Sequence, residues 1–130
     1  MIEELVAKEK ETIIAWRRQI HQHPELGFQE HNTGKMVGDL LEEFGYEVQR
    51  GIGGTGVVGI LRPQGMEHKR AVALRADMDA LTVTEENQVP YASKNPGVMH
   101  ACGHDGHTAM LLGAAKVLSQ LRDQLSAPIV

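Results

Sequence analysis

The sequence predicts an α/β fold, and three observations predict it. Helical periodicity marks three segments, short runs rich in Val, Ile, Leu and Ala lie between them, and Gly or Pro punctuates the boundaries. The 130 residues are 42% hydrophobic and 23% charged, the range of a soluble globular domain or part of one.

From about Glu3 to Gln22, Val6, Ile13, Trp16 and Ile20 recur at helical spacing among charged residues, and Pro24 stops the helix. A second helix is expected from about Asn32 to Phe44, with Met36, Val37, Leu40, Leu41 and Phe44 on one stripe and Gly45 as its left-handed terminator. Tyr46 to Gln49 begins an extended run. Thr55 to Leu61 and Arg70 to Ala76 have the apolar composition of buried strands. From Asp77 to His104 there is little periodicity, and so long a connection inside a compact domain points to a functional loop. A third helix follows from about Gly106 to Leu121, and Ser126 to Val130 is the approach to another strand.

The net charge of -4, with Arg17-Arg18 as the densest basic group, excludes an electrostatic nucleic-acid binder. No apolar run has the length of a signal peptide core or a transmembrane helix, so no membrane role is expected and cytoplasmic residence is the default. Cys102 is the single cysteine, so it is a buried small hydrophobe, a reactive thiol or a metal ligand.

Four constellations bear on chemistry. Gly51-Ile52-Gly53-Gly54-Thr55-Gly56 matches the dinucleotide fingerprint formally, but a strand follows it where the fingerprint needs a helix, so it is a turn. His21, His23 and Glu25 close the first helix. Positions two apart face different ways, which favours a capping or core role over joint metal binding; His31 and His68 are expected to face solvent. Asp77 and Asp79 directly follow an apolar run, where ligand sites of α/β sheets gather.

Cys102, His104, Asp105 and His107 then fall just before the third helix. Thiolate and imidazole are good ligands for first-row metals, and two-residue spacing in an extended segment directs Cys102 and His104 to one side. A helix N-terminus nearby favours the thiolate. Metal binding leads on this spacing, with a Cys102 nucleophile activated by His104 or His107, or ordinary buried residues, as the alternatives.

Three ordered segments carry a resemblance. They are Arg17-Arg18-Gln19-Ile20-His21-Gln22-His23-Pro24-Glu25-Leu26, Leu74-Arg75-Ala76-Asp77-Met78-Asp79-Ala80-Leu81, and Met99-His100-Ala101-Cys102-Gly103-His104-Asp105-Gly106-His107-Thr108-Ala109. In that order they resemble motifs of the M20 metallopeptidase family, in the branch of N-acyl-amino-acid amidohydrolases that includes hippurate hydrolases and auxin-conjugate hydrolases. The resemblance implies residues 1–130 as the N-terminal part of a three-layer α/β catalytic domain, truncated after about the first third of the family's length. The inserted dimerisation and lid domain and the C-terminal part are then absent.

It further implies hydrolysis of the amide of a small N-acyl amino acid by a homodimeric enzyme with a divalent metal pair, zinc or manganese, or else nickel or cobalt. Cys102 and His104 match the first two metal ligands. Asp79 matches a carboxylate that orients a metal ligand. Asp77 stands where distant relatives keep a metal histidine, so no ligand role is carried onto it, and Thr82 replaces the family's usual Pro. The general base, a glutamate, matches no residue up to Val130, so this fragment alone is expected to be inactive. A cysteine-nucleophile hydrolase using Cys102 and a non-catalytic α/β binding module are the rival readings.

Overall fold

A computed structural model describes residues 1–130. The elements are α1 (Ile2–Gln22), α2 (His31–Glu43), β1 (Glu47–Ile52), β2 (Gly56–Ile60) and α3 (His104–Gln120), followed by a single 3-10 turn at Arg122–Gln124. Each predicted helix is present, within two residues at either end. Gly45 leaves α2 at φ 92°, as its position predicts.

α1 lies on α3, and Gly113 allows the approach, because a Cβ there would run into the Ile13 side chain. β1 and β2 form an antiparallel hairpin around the glycine-rich turn, in which Gly51, Gly53 and Gly54 all have positive φ. The turn reading of that segment therefore holds. Under the hairpin Tyr46, Leu61 and Ala115 are buried, with Leu41, Phe44, Val48 and Ile129 packed around them. The Tyr46 hydroxyl donates to the Ala115 carbonyl at 2.8 Å, and burial pushes its pKa up to about 12.

The sheet continues beyond the hairpin through isolated bridges. Leu61 and Ile129 exchange hydrogen bonds at 2.8 and 2.9 Å, and Val130 donates to Val72 at 2.9 Å. Val72 and Leu74 donate to Pro128 and Val130, each at 2.9 Å. The expected strand from Arg70 to Ala76 is therefore extended, but it forms only these contacts and is not buried: Val72 is 51% exposed and Leu74 46%. The reason is a shortage of partners, since the chain between it and β2 runs only from Pro128 to Val130.

The long connection from Asp77 to Gly103 contains no helix or strand, but its backbone is tied down. Leu81 pairs with Met99, the Ala80 N–H donates to the Glu25 carbonyl at 2.8 Å, and the Lys94 N–H donates to the Gln22 carbonyl at 2.8 Å. Such a loop is ordered by main-chain bonds to the end of α1 instead of by a core of its own.

Glu25 fixes the start of α2. One carboxylate oxygen accepts from the N–H and hydroxyl of Thr33, both at 2.6 Å, and the other accepts from the Asn32 N–H at 3.0 Å. Partial burial would raise its pKa, but these donors outweigh that and hold it below the ordinary 4.5. Glu25→Gln should cost about 1 kcal/mol near neutral pH in urea denaturation, the scale of a lost helix cap. A depressed carboxylate stabilises above its ordinary value and loses that contribution as pH falls through its folded value. The gap between wild type and Glu25→Gln should therefore narrow in acid; a gap that widened would contradict the assignment.

Candidate metal centre

The end of the 72–78 segment and the first turn of α3 meet at one place. His104, the first residue of α3, directs Nδ1 at Asp79 Oδ1, 2.9 Å away, and lies 3.1 Å from the Asp79 carbonyl. Its Nε2 faces Asp77 Oδ2 at 3.7 Å. Asp77 is held in turn by Arg75 at 2.7 Å, and its carbonyl accepts from the Thr108 hydroxyl at 2.7 Å. Asp77, Asp79 and His104 each offer one donor atom, all within 4.8 Å of one another and all half-buried. Oxygen and imidazole donors at this spacing suit a divalent first-row cation.

The residues singled out from sequence are only partly gathered here. Cys102 is exposed and lies outside the group of three. His104, Asp105 and His107 do not precede the third helix but form its first turn, because α3 begins two residues earlier than the apolar periodicity suggests. Gly103, at φ 105°, turns the chain between Cys102 and His104, so the two are not successive side chains of one extended run. The His107 ring lies 5.5 Å from that of His104. His31 and His68 are exposed, as expected.

Of the capping and core roles expected for His21, the structure shows the core one: its ring is buried, with Nδ1 2.8 Å from Asp105 Oδ2 and Nε2 3.0 Å from Glu85 Oε1. Arg17, one turn earlier, donates Nε to the same Asp105 oxygen at 2.8 Å. Asp105 is 1% exposed. Burial alone would raise its pKa, but the His21 hydrogen bond, the Gly106 N–H and the Arg17 charge hold it below the ordinary carboxylate value. Glu85 is also lowered against its desolvation, by the Ser93 N–H and by Asn87 and His21. Tyr91 closes this cluster, with the Arg18 guanidinium 4.6 Å and that of Arg17 5.5 Å from its ring centre.

His100 was in the recognised segment without an assigned role. It is 4% exposed, neither ring nitrogen has a hydrogen-bond partner, and burial pushes its imidazole below the ordinary value. A buried imidazole unpaired at both nitrogens, beside a group of metal-capable donors, fits a site whose full set of partners exceeds the protein groups present.

Two carboxylates and an imidazole, gathered where an extended segment meets a helix N-terminus in an α/β layer, define a candidate metal-binding α/β domain. Residues 73–130 match the pattern of peptidase family M20/M25/M40. Over 129 residues the chain is 54% identical to an N-acyl-L-amino acid amidohydrolase of Geobacillus stearothermophilus, covering 98% of this chain and 34% of that one. It is 57% identical over 103 residues to the hippurate hydrolase of Campylobacter jejuni, covering 79% and 26%. The crystal structure of Bacillus subtilis YXEP protein, described as a dinuclear metal binding peptidase from the M20 family, superimposes with a TM-score of 0.84. That match is 38% identical over 98% of this chain and 34% of that one. The chain belongs to the M20 peptidase family. It spans about a third of the length of the amidohydrolase it matches.

The Asp105 cluster should carry much of the stability of this region. His21→Leu removes the partner that Asp105 and Glu85 share while Arg17 and the Gly106 and Ser93 N–H groups remain, and the loss of a buried hydrogen-bond partner costs about 1–3 kcal/mol. Urea denaturation at neutral pH measures it, and a loss below about 1 kcal/mol would mean the cluster is not desolvated as described.

Proposed function

We propose that residues 1–130 are the N-terminal part of the catalytic domain of a metal-dependent amidohydrolase that cleaves the amide bond of N-acyl amino acids. The observation that carries the reading is the 2.9 Å contact between Asp79 and His104 Nδ1. A carboxylate that accepts a hydrogen bond from Nδ1–H fixes the tautomer and leaves the Nε2 lone pair for a cation. The relatives supply the reaction class, because those described as amidohydrolase and hippurate hydrolase cover this site at 54% and 57% identity.

Cys102 and His104 are the proposed ligands, with Asp79 as the residue that positions His104. Asp77 deserves a place beside them that the family resemblance did not give it, since its carboxylate faces the Nε2 edge of the same ring. A divalent pair, zinc or manganese, supplies Lewis acidity when bound, polarising the scissile carbonyl and making water a better nucleophile. The residues of this chain hold and orient: Asp79 holds the proton on Nδ1, and the Thr108 hydroxyl holds the main chain of Asp77. The cysteine-nucleophile reading loses ground, because an activating imidazole must turn its second nitrogen to the thiol, whereas His104 faces Asp79 with Nδ1 and Asp77 with Nε2.

In this reading the general base and the remaining ligands come from polypeptide after residue 130, as do the lid and the homodimer contact. No helix here is long and apolar enough to cross a membrane. The single reduced Cys102 as a ligand accords with a cytoplasmic setting.

Isothermal titration with zinc or manganese chloride tests the ligand assignment. Asp79→Ala should weaken binding about 10- to 100-fold, the usual effect of removing a ligand's supporting carboxylate. His104→Ala should abolish it, and unchanged affinity in both variants would end the proposal. Residues 1–130 alone, saturated with metal, should not turn over an N-acyl amino acid in an assay that detects the freed amino group; turnover would show that the base lies within them.

A further inference from the structure

His21 is set between two carboxylates from different parts of the chain. Nδ1 lies 2.8 Å from Asp105 Oδ2 in the first turn of α3, and Nε2 lies 3.0 Å from Glu85 Oε1 in the long connection. The side chains of His21 and Glu85 are each 4% exposed, so bulk water does not stand in for either partner. A neutral imidazole has one N–H and one lone pair. In that form one of the two contacts would set a lone pair against a carboxylate oxygen.

The proton that such a contact needs is not on the carboxylates. Asp105 Oδ2 also accepts from Arg17 Nε at 2.8 Å, and Glu85 Oε1 also accepts from the Ser93 N–H at 2.8 Å. Each oxygen facing His21 thus already takes a second donor, which is the behaviour of an ionised, acceptor-only carboxylate. Charge leads to the same answer. With His21 protonated, the cations of Arg17 and His21 meet the anions of Asp105 and Glu85, whereas with His21 neutral a buried negative charge is left over. The other rings near His21 do not compete for its protons. Tyr91 meets it edge on, 5.9 Å between centres, and carries the Arg18 guanidinium on its own ring; the His100 ring is 6.5 Å away and unpaired at both nitrogens.

We propose that His21 is an imidazolium that donates from both nitrogens, and that its Nε2 proton clasps the connection from Asp77 to Gly103 onto α1. That connection begins at Asp77 and Asp79 and returns at His104, so both of its ends belong to the candidate metal group and His21 is a positioning residue for that group. Only in calling the group a metal site does this rest on the proposed function.

The middle of the connection docks on the end of α1 and the turn after it at three places. Besides the His21 contact, the Lys94 N–H donates to the Gln22 carbonyl at 2.8 Å and the Asn95 side-chain amide donates to the Pro24 carbonyl at 3.1 Å. Of the three, the first alone runs through an ionisable ring. When that ring gives one proton to water, Nδ1–H keeps the shorter bond to the more deeply buried Asp105, and the bond lost is the one to Glu85. The clasp is therefore closed at low pH and opens as pH rises, the sense of a histidine bonded to carboxylates.

The test uses nitrogen-labelled residues 1–130 without metal. Two-bond proton–nitrogen spectra report which ring nitrogens carry protons, and His21→Gln identifies the His21 signals among the seven imidazoles. Near neutral pH both nitrogens of His21 should be protonated; a bare nitrogen overturns the proposal. In Glu85→Gln the charge that holds the second proton is gone, and Nε2 should lose it; a proton that stays shows that Glu85 does not hold it and also overturns the clasp. As pH is raised on the wild type, amide protection at Ser93 and Lys94, corrected for base catalysis, should fall about tenfold or more in step with loss of the Nε2 proton, while Leu112 and Ala115 of α3 keep theirs. Protection that does not change as the proton leaves, or a proton that leaves only when the whole domain unfolds, refutes the control of the connection by His21. Zinc titration of the same samples reads the proposed function separately, so either idea can fall alone.

Discussion

The buried carboxylate of Asp105 is the constraint on which the rest of this structure turns. An ionised carboxylate away from water is costly unless several donors meet it. Here Arg17, His21 and the Gly106 N–H meet it together. Arg17 and His21 come from the last turns of α1, Gly106 and the acceptor itself from the first turn of α3, and His21 passes the connection on to Glu85 in the long loop. One acceptor thus joins segments 84 and 88 residues apart in sequence. Since His104 immediately precedes Asp105, the interaction that anchors the helix also fixes where the candidate ligand begins.

The helices were legible in the sequence because their apolar stripes recur at helical spacing, and Gly45 marked the end of α2 correctly. The Asp105 cluster was not, for a reason that lies in the question asked of His21. Whether His21 and His23 share a ligand is a local question with a negative answer, whereas the true partners of His21 are remote. A signal was present all the same. Arg17 and His21 are one helical turn apart and share a stripe with Ile13 and Ile20, and basic groups on the buried stripe of a helix require acidic partners elsewhere.

The segment from Arg70 to Ala76 shows a different limit. Its composition was read as a buried strand, and the backbone is indeed extended, but burial belongs to a sheet and not to a strand. Val72 and Leu74 remain half-exposed because only three residues reach between them and β2. The apolar pattern records the environment the segment is suited to, with neighbours on both edges and helices against one face. In the candidate site the spacing of Cys102 and His104 was read as that of one extended run, whereas Gly103 turns left-handed between them and His104 is already helical; a single glycine's φ is not readable from spacing.

The carboxylate–imidazole group does not depend on that sheet for its geometry. Asp77 and Asp79 sit at the end of a poorly paired segment, so the sheet contributes little to holding them. They are held from the other side: Thr108 of α3 bonds the Asp77 carbonyl, His104 lies against both the carbonyl and the carboxylate of Asp79, and the Ala80 N–H is tied to the Glu25 carbonyl. Every one of these contacts runs to a helix or to the turn after α1, and none runs to β1 or β2. The positions of the two carboxylates and of His104 are accordingly set by α3 and by the turn after α1, the same two elements that the Asp105 cluster ties together.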